Sequence, residues 1–419
     1  MSKLTKQEKS WILYDCGNSA YSLAITTAIL PIFYKSTIAA DISNAQSTAY
    51  WGYTNTIAII LVAILAPILG TIADYKGFKK KFFTVFMLIG IIATAALGTL
   101  GQGDVMACLI IYAFTVLGFS GTNVFYDSFL VDVAKDDNID KVSAYGFAFG
   151  YIASILPFIL CLAIIMVPSL VGLTTLNATR ASFIIVALWW ALLSIPMVKN
   201  VKQVHYVDRE PAPIKNSFIR LFNTFSEIRQ YKVAAIFLLA YFFYIDGVHT
   251  IIRMSTVYGS DIGISDDTML IVLLVTQIVA FPSAILFAKF AKKTSTKFML
   301  MYGIILYTII TIFAYFMSKE IHFWILGILV GTAQGGIQAL SRSAYGKLIP
   351  KENSAKYFGL YNILGKASAA LGPFLIGFIA QMTNNSRFGI LSLIILFIIG
   401  GAILSRIPID SPMTQKNTN

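Results

Sequence analysis

Long apolar runs dominate the chain, and short polar stretches separate them. A run of about 20 mainly apolar residues is the length that an α-helix needs to cross a bilayer. About twelve such runs are present, and they predict twelve transmembrane helices. The predicted spans lie near 13–35, 49–73, 81–101, 105–133, 143–168, 181–199, 232–256, 268–291, 297–317, 321–347, 357–382 and 387–406.

The composition is that of an integral membrane protein. Hydrophobic residues make up 57% of the chain and charged residues 12%, and the mean hydropathy is +0.75. A soluble chain carries about 25% charged residues. The net charge of +12 does not predict nucleic-acid binding, because the basic residues form short clusters between apolar runs. The three cysteines fall in predicted spans without metal-ligand spacing, so we expect no metal site and no cofactor.

The distribution of lysine and arginine predicts the orientation of the chain. About 26 of them fall at the termini and in the loops on the same side, and about five fall on the other side. Positive charge marks the cytoplasmic side, so we expect a multi-pass protein of the cytoplasmic membrane with both termini in the cytoplasm.

The longest loop divides the chain into six and six predicted helices. We expect an N-terminal bundle at 1–199, a linker at 200–231, a C-terminal bundle at 232–406 and a cytoplasmic tail at 407–419. Apolar residues recur at helical spacing between Phe218 and Phe225, which predicts an amphipathic helix on the membrane surface. Weak matches at an offset of about 215–230 residues, in the same order in both halves, indicate duplication of a six-helix unit.

Residues 70–81 between the second and third spans read Gly-Thr-Ile-Ala-Asp-Tyr-Lys-Gly-Phe-Lys-Lys-Lys. This segment resembles the signature loop of the major facilitator superfamily. The resemblance implies an all-α membrane fold of twelve helices in two pseudo-symmetric six-helix bundles. Glycine permits close helix approach and tight turns, and an aspartate there pairs with a neighbouring helix end or base. We expect a conformational latch at Gly70, Asp74, Gly77 and Lys80, and no matching latch in the second half, which lacks the Asp and the Gly.

Three further segments indicate one branch of this superfamily by resemblance: Trp11–Tyr21, Tyr244–Ile252 and Gly335–Ser343. They resemble the branch that contains the fungal vacuolar amino-acid effluxers linked to autophagy and their bacterial relatives. The resemblance implies transport, with amino-acid efflux attached to the fungal members. In facilitator folds the first, fourth, seventh and tenth helices line the cavity.

Polar residues form stripes on those four helices of this chain. A polar stripe on an apolar helix must face a wet cavity or another polar group, because ionisable side chains are costly in lipid. We expect a substrate or proton pathway there, with Lys366 of the eleventh helix nearby. The stripe residues are Asp15, Asn18, Asn123, Asp127, Asp246, His249, Arg253, Gln334, Gln338 and Arg342.

Each candidate role has a structural alternative. Asp15 is either a protonatable or amine-binding carboxylate or a brace between helices. Asp246 and Arg253 either bind the two ends of a zwitterion or form an internal ion pair. His249 either titrates near neutrality or is a hydrogen-bonded core residue. Asp127 is a candidate to neutralise Arg342 or Lys366.

These patterns predict a secondary active transporter rather than an enzyme. We expect a monomer in the lipid bilayer that moves a small polar solute, amino acids being the first class to test, by alternating access with proton coupling. The alternatives are an exporter of drugs or lipid-like amphiphiles on the same fold, a non-transporting receptor, and an intramembrane enzyme. No Gly-rich phosphate loop ending in Lys-Ser/Thr is present.

Overall fold

The computed structural model describes residues 4–42, 44–208, 227–261, 264–368, 371–383 and 385–409. The predicted amphipathic helix between Phe218 and Phe225 lies outside the described residues, and so does most of the tail. The described chain is nearly all helical. Its one isolated bridge of extended backbone pairs Tyr75 with Val207.

Within the described residues, twelve helical segments occupy the positions that the apolar runs predict, and the predicted twelve-helix fold is confirmed. Ten stretches of the described residues are long and apolar enough to cross a membrane. The segments are α1 (Lys6–Ile38), α2 (Asn44–Ala73), α3 (Phe78–Thr99), α4 (Val105–Val133), α5 (Ile139–Met166), α6 (Thr175–Asn200), α7 (Lys232–Asp261), α8 (Asp266–Lys293), α9 (Thr296–Tyr315), α10 (Glu320–Leu348), α11 (Ser354–Ala367 and Leu371–Thr383) and α12 (Ser386–Leu391 and Ile394–Ser405).

Local sequence signals set several helix ends. The Thr5 hydroxyl accepts a hydrogen bond from the Glu8 amide at 3.1 Å, and the Glu8 carboxylate accepts one from the Thr5 amide at 2.7 Å. This capping box satisfies donors that the first turn of α1 leaves open. The Ser295 hydroxyl caps α9 by accepting a hydrogen bond from the Phe298 amide at 3.0 Å. Gly77 has a φ of 79° between α2 and α3, a conformation that favours glycine.

The lipid-facing surface is apolar. Large side chains such as Ile92, Leu156 and Ile398 are more than 60% exposed to the surroundings of the protein. An exposed apolar surface on this scale is incompatible with water as the solvent and is expected when acyl chains surround the helices. The protein is therefore a multi-pass membrane protein.

The chain divides into two compact units, and the helix pairs repeat between them. In the first unit α1 packs on α6, α3 packs on α4 and α6, and α2 packs on α4; in the second unit α7 packs on α12, α9 packs on α10 and α12, and α8 packs on α10. The packing order is therefore the same after an offset of six helices, as duplication predicts. The first unit comprises Met1–Val133, Phe149–Phe218 and Glu352–Gly359. The second unit comprises Ala134–Ala148, Ile219–Lys351 and Leu360–Asn419.

Candidate functional site

In the first unit, the polar stripes of α1 and α4 meet. Asn18 is 4% exposed, and its Nδ2 donates a hydrogen bond to Oδ1 of Asn123 at 2.7 Å. The Oδ1 of Asn18 is buried and has no hydrogen-bond partner within the described part of the chain. Asp15 and Asp127 on the same two helices are 7% and 8% exposed. A buried amide with an open acceptor is a group that a solute donor or a water satisfies.

The surroundings of Asp15 are tightly packed on one side. A Cβ added at Gly150 of α5 would lie 2.5 Å from Oγ of Ser19 and 3.4 Å from the Asp15 carbonyl oxygen. The helix α5 therefore approaches α1 as closely as a glycine allows. Beyond Asp15, two stretches of α1 are wound as π-helix, Tyr21–Ile29 and Tyr34–Ile38, a geometry that recurs at functional sites.

In the second unit, Asp246 is the most deeply buried candidate. It is 0% exposed, and its Oδ1 accepts a hydrogen bond from the Thr250 hydroxyl at 3.3 Å. Its Oδ2 is buried without a hydrogen-bond partner among the described residues. A Cβ added at Gly372 of α11 would lie 3.1 Å from the Asp246 Oδ1. Gly372 therefore allows α11 to approach α7 closely, as Gly150 allows α5 to approach α1.

The other candidates on α7 and α10 cluster around His249. Arg253 is exposed and interacts electrostatically with both Asp246 and His249. The His249 ring hydrogen-bonds the Gln338 side chain, while its Nδ1 is buried with no partner in the described ranges. The Gln338 Nε2 also donates to the carbonyl oxygen of Gln334 at 3.1 Å. The structure thus brings Asp246, His249, Arg253 and Gln338 into one polar group, which Gln334 contacts through its backbone.

Arg342 has partners that the sequence did not predict. It is 4% exposed, and its Nε donates to Oγ of Ser143 at 2.9 Å while Nη2 donates to the Ser143 carbonyl oxygen at 2.9 Å. Its guanidinium also lies 4.3 Å from the ring centroid of Phe147. Neutralisation of this cation by Asp127 stays a prediction. The side chain of Lys366 lies outside the described residues.

The predicted latch residue Asp74 accepts two backbone hydrogen bonds. The amides of Ala355 and Lys356, at the start of α11, donate to its carboxylate at 2.9 and 3.0 Å. Helix N-termini favour negative charge. A Cβ added at Gly70 would lie 2.7 Å from the Ala355 carbonyl oxygen, so only glycine fits there. Burial raises the pKa of Asp74 to about 7, although Lys79 and the two amides act in the opposite direction.

The ion pair beside this contact is made by Lys79, the residue before the latch candidate Lys80. The Lys79 Nζ lies 2.7 Å from Oδ2 of Asp132, with both side chains 0% exposed, and donates to Oγ of Ser354 at 2.8 Å. Successive residues of a helix point about 100° apart, so only one lysine at the start of α3 faces inward. Asp132, at the end of α4, was missed because nothing in its spacing separates it from an ordinary loop acid.

An extended segment after α6, residues 201–207, is bound to the same turn; we call it the α6 strap. Gln203 accepts from the Gly77 amide at 2.8 Å and donates to the Ala73 carbonyl oxygen at 3.1 Å. The Asp132 Oδ1 accepts from the amides of Val204 and His205 at 2.9 and 2.8 Å. Asp132 therefore holds both Lys79 and the strap, a role that no sequence pattern indicates.

The fold defines a class of protein, because it is the twelve-helix fold of the major facilitator superfamily. The chain is similar to the solved structure of the fucose:proton symporter of E. coli, with a TM-score of 0.70 over 96% of this chain and 97% of that chain at 14% identity. At that identity the likeness shows the fold alone.

Sequence comparison identifies the family. The chain belongs to the family described as "Vacuole effluxer Atg22 like", which matches residues 42–417. It is 51% identical to an uncharacterized MFS-type transporter, YxiO of Bacillus subtilis (strain 168), over 97% of this chain and 96% of that protein. It is 23% identical to autophagy-related protein 22 of Saccharomyces cerevisiae, over 84% of this chain and 76% of that protein. The family description names effluxers and the Bacillus relative is named a transporter, so the prediction of a non-enzyme is confirmed.

Proposed function

We propose that the protein is a secondary active transporter that moves a small polar solute across the cytoplasmic membrane by alternating access. The observation that carries this proposal is the fully buried Asp246, whose Oδ2 has no hydrogen-bond partner in the described part of the chain. Leaving such a group without a partner costs free energy. A solute ammonium group or a proton satisfies it during each transport cycle.

The proposed solute is an amino acid. Arg253 lies seven residues after Asp246, two turns along α7, and interacts with it electrostatically. One cation and one carboxylate at that spacing fit the two charged ends of a zwitterion, and a guanidinium binds a carboxylate in a bidentate manner. The family description as vacuole effluxers supports solute transport as the activity.

The proposed energy source is the proton gradient. Asp15 and Asp127 in the first unit, at 7% and 8% exposed, are the proposed proton carriers, with His249 as a relay. The contact between Asp74 and the start of α11 is the proposed latch, which forms in one state of the cycle and opens in another. We further propose a monomer with both termini in the cytoplasm and no cofactor.

A thermal-shift screen of amino acids, peptides, sugars and nucleosides on the purified protein tests the solute assignment. We expect an amino acid to raise the unfolding midpoint of the wild type and to have little effect on Asp246→Asn and Arg253→Ala. Arg406→Ala, at the exposed end of α12, is the matched control. Equal stabilisation of all four proteins would remove Asp246 and Arg253 from the site.

Proton coupling is tested by solute-driven pH change in proteoliposomes. We expect the wild type to move protons with its solute, and Asp15→Asn or Asp127→Asn to move solute with a reduced proton signal. An unchanged proton signal in both variants would exclude these two carboxylates from the proton path.

A further inference from the structure

The α6 strap and the start of α3 form a basic surface beside the latch contact. We propose that Lys80 and Lys202 bind the phosphate headgroup of an anionic phospholipid in the cytoplasmic leaflet. The proposal rests on the cytoplasmic orientation of this face, which the distribution of basic residues predicts, and not on the identity of the transported solute.

The strap is fixed beside α3 by contacts on both sides of Lys202. Gln203 bonds to the backbone of Ala73 and Gly77, and the Val207 amide donates to the Asp74 carbonyl oxygen at 2.9 Å. The strap is therefore anchored to the turn that leads into α3, and Lys202 is held near Lys80. The two lysines interact as like charges.

No acid of the described residues compensates this pair. Neither Lys80 nor Lys202 makes a salt bridge in the described ranges. The nearby acid Asp132 is 0% exposed and is already bound to Lys79 and to the strap. Two cations held together on different elements leave a local excess of positive charge, which an external anion neutralises.

Apolar side chains next to the lysines favour a lipid over a free anion. Val204 and Tyr206 of the strap are 59% and 36% exposed. Lys76 lies over the Tyr206 ring at 5.2 Å, and Lys81 lies over the Phe78 ring at 5.2 Å, so further cations border the site. A phospholipid presents a phosphate together with glycerol and acyl carbon, whereas a free phosphate presents only charge.

The test measures retention of phosphatidylglycerol against phosphatidylcholine by the purified full-length protein, using native mass spectrometry over a titration of each lipid. We expect Lys80→Gln/Lys202→Gln to bind phosphatidylglycerol on the order of 10-fold to 30-fold more weakly than the wild type, from the contribution of two surface lysines. Lys80→Arg/Lys202→Arg keeps the charge and is expected to bind nearly as well as the wild type. Lys292→Gln/Lys293→Gln removes the same charge from the exposed α8–α9 turn and serves as the control.

Three results would overturn the proposal. One is equal weakening in the α8–α9 control, which would mean that any two lysines suffice. Another is competition by glycerol phosphate at concentrations matched to the lipid, which would assign the site to a free anion. The third is unchanged phosphatidylglycerol retention in Lys80→Gln/Lys202→Gln. If that double variant fails to fold, the single variant Lys202→Gln replaces it in the test, because Lys202 is exposed and its substitution leaves the buried packing intact. The same three results would then overturn the proposal.

Discussion

Corresponding polar clusters of the two units differ in their exposure to water. In the first unit, Lys79 and Asp132 form an ion pair of 2.7 Å with both side chains 0% exposed. In the second unit, Lys347 and Asp140 form one of 2.6 Å with side chains 23% and 17% exposed. The pair of the first unit is dry, and that of the second unit is partly hydrated.

The two clusters use the same places in the repeat but different residues. In the first unit the contacts join the starts of α3 and α11 to the end of α4, through Lys79, Ser354 and Asp132. In the second unit they join the starts of α9 and α5 to the end of α10, through Thr296, Asp140 and Lys347. The acid lies at the end of α4 in one unit and the cation lies at the end of α10 in the other. The position of the contact repeats, and the sign of the charge at each position does not.

This difference implies different energetic roles. Removing one partner of a buried ion pair leaves an uncompensated charge, whereas an exposed pair competes with water and salt. We therefore expect the cluster of the first unit to be necessary for stability and that of the second unit to be adjustable.

The largest effect is expected for Lys79→Met. The variant leaves Asp132 buried without its cation and is expected to lose about 3–5 kcal/mol of unfolding free energy, measured by denaturant titration in detergent. The double variant Lys79→Met/Asp132→Leu removes both charges and is expected to recover part of the loss. A single variant within about 1 kcal/mol of the wild type would contradict the assignment of a dry pair.

A smaller and local effect is expected for Asp74→Ala. The amides of Ala355 and Lys356 lose their acceptor, and their hydrogen exchange is expected to accelerate about 10-fold to 100-fold, since an unsatisfied buried donor costs about 1–3 kcal/mol. Asp74→Asn keeps one acceptor oxygen, so its exchange rates at these two amides are expected to lie between those of the wild type and of Asp74→Ala. Amides of α9 serve as the internal reference. Unchanged protection at Ala355 and Lys356 would show that the carboxylate does not hold the start of α11.

The same two amides report a pH dependence. Burial raises the pKa of Asp74 from its ordinary value of 3.8 to about 7. The buried carboxyl group of Asp74 therefore binds its proton more tightly than it does when the contact is open to water. The stability of the buried arrangement is fully present below about pH 4 and is lost as pH rises through about 7. After correction for intrinsic exchange, we expect protection of Ala355 and Lys356 to fall over that window in the wild type. In Asp74→Asn we expect the protection of these amides to be independent of pH. Protection that is equally independent of pH in the wild type would contradict the claim that burial raises the pKa of Asp74.

The smallest effect is expected for Lys347→Met in the second unit. Its partner Asp140 is accessible to water and also accepts from Thr296 at 2.9 Å. We expect a loss of about 0–1 kcal/mol that shrinks further with added salt, as for other exposed pairs. Denaturant titration at low and high salt checks this. A loss as large as that of Lys79→Met would erase the difference between the two clusters.

Much of the fold was predictable because helix length and hydropathy are read directly along the chain. All twelve predicted spans correspond to helical segments. The polar stripes are expected to face a cavity or one another, and Asn18 and Asn123 from two of these stripes are hydrogen-bonded. Choosing between adjacent lysines was not possible, because which of Lys79 and Lys80 faces inward depends on the rotation of α3 against its neighbours. The signature loop predicted Asp74 as a latch residue, because the spacing of Gly70, Asp74 and Gly77 is specific to that loop.

Contacts between segments that are far apart in the sequence could not be predicted from the periodicity of apolar and polar positions. Asp132 and His205 are 73 positions apart, and neither belongs to a periodic stripe. The sequence predicted no matching latch in the second half, since the motif residues are absent there. The structure shows that Asp140, Thr296 and Lys347 form a polar cluster at the corresponding place without that motif. The place of the contact recurs in both units with different residues, and motif comparison detects only residue identity.

The most direct test of the transport mechanism is amino-acid counterflow in proteoliposomes that hold unlabelled amino acid inside and receive labelled amino acid outside. Counterflow requires solute binding on both sides of the membrane and no proton gradient. We predict labelled uptake by the wild type and by Arg406→Ala, and uptake at the level of protein-free liposomes by Arg253→Ala. Undiminished counterflow in Arg253→Ala would contradict the proposed site, and its absence in the wild type for every amino acid would contradict the proposed cargo.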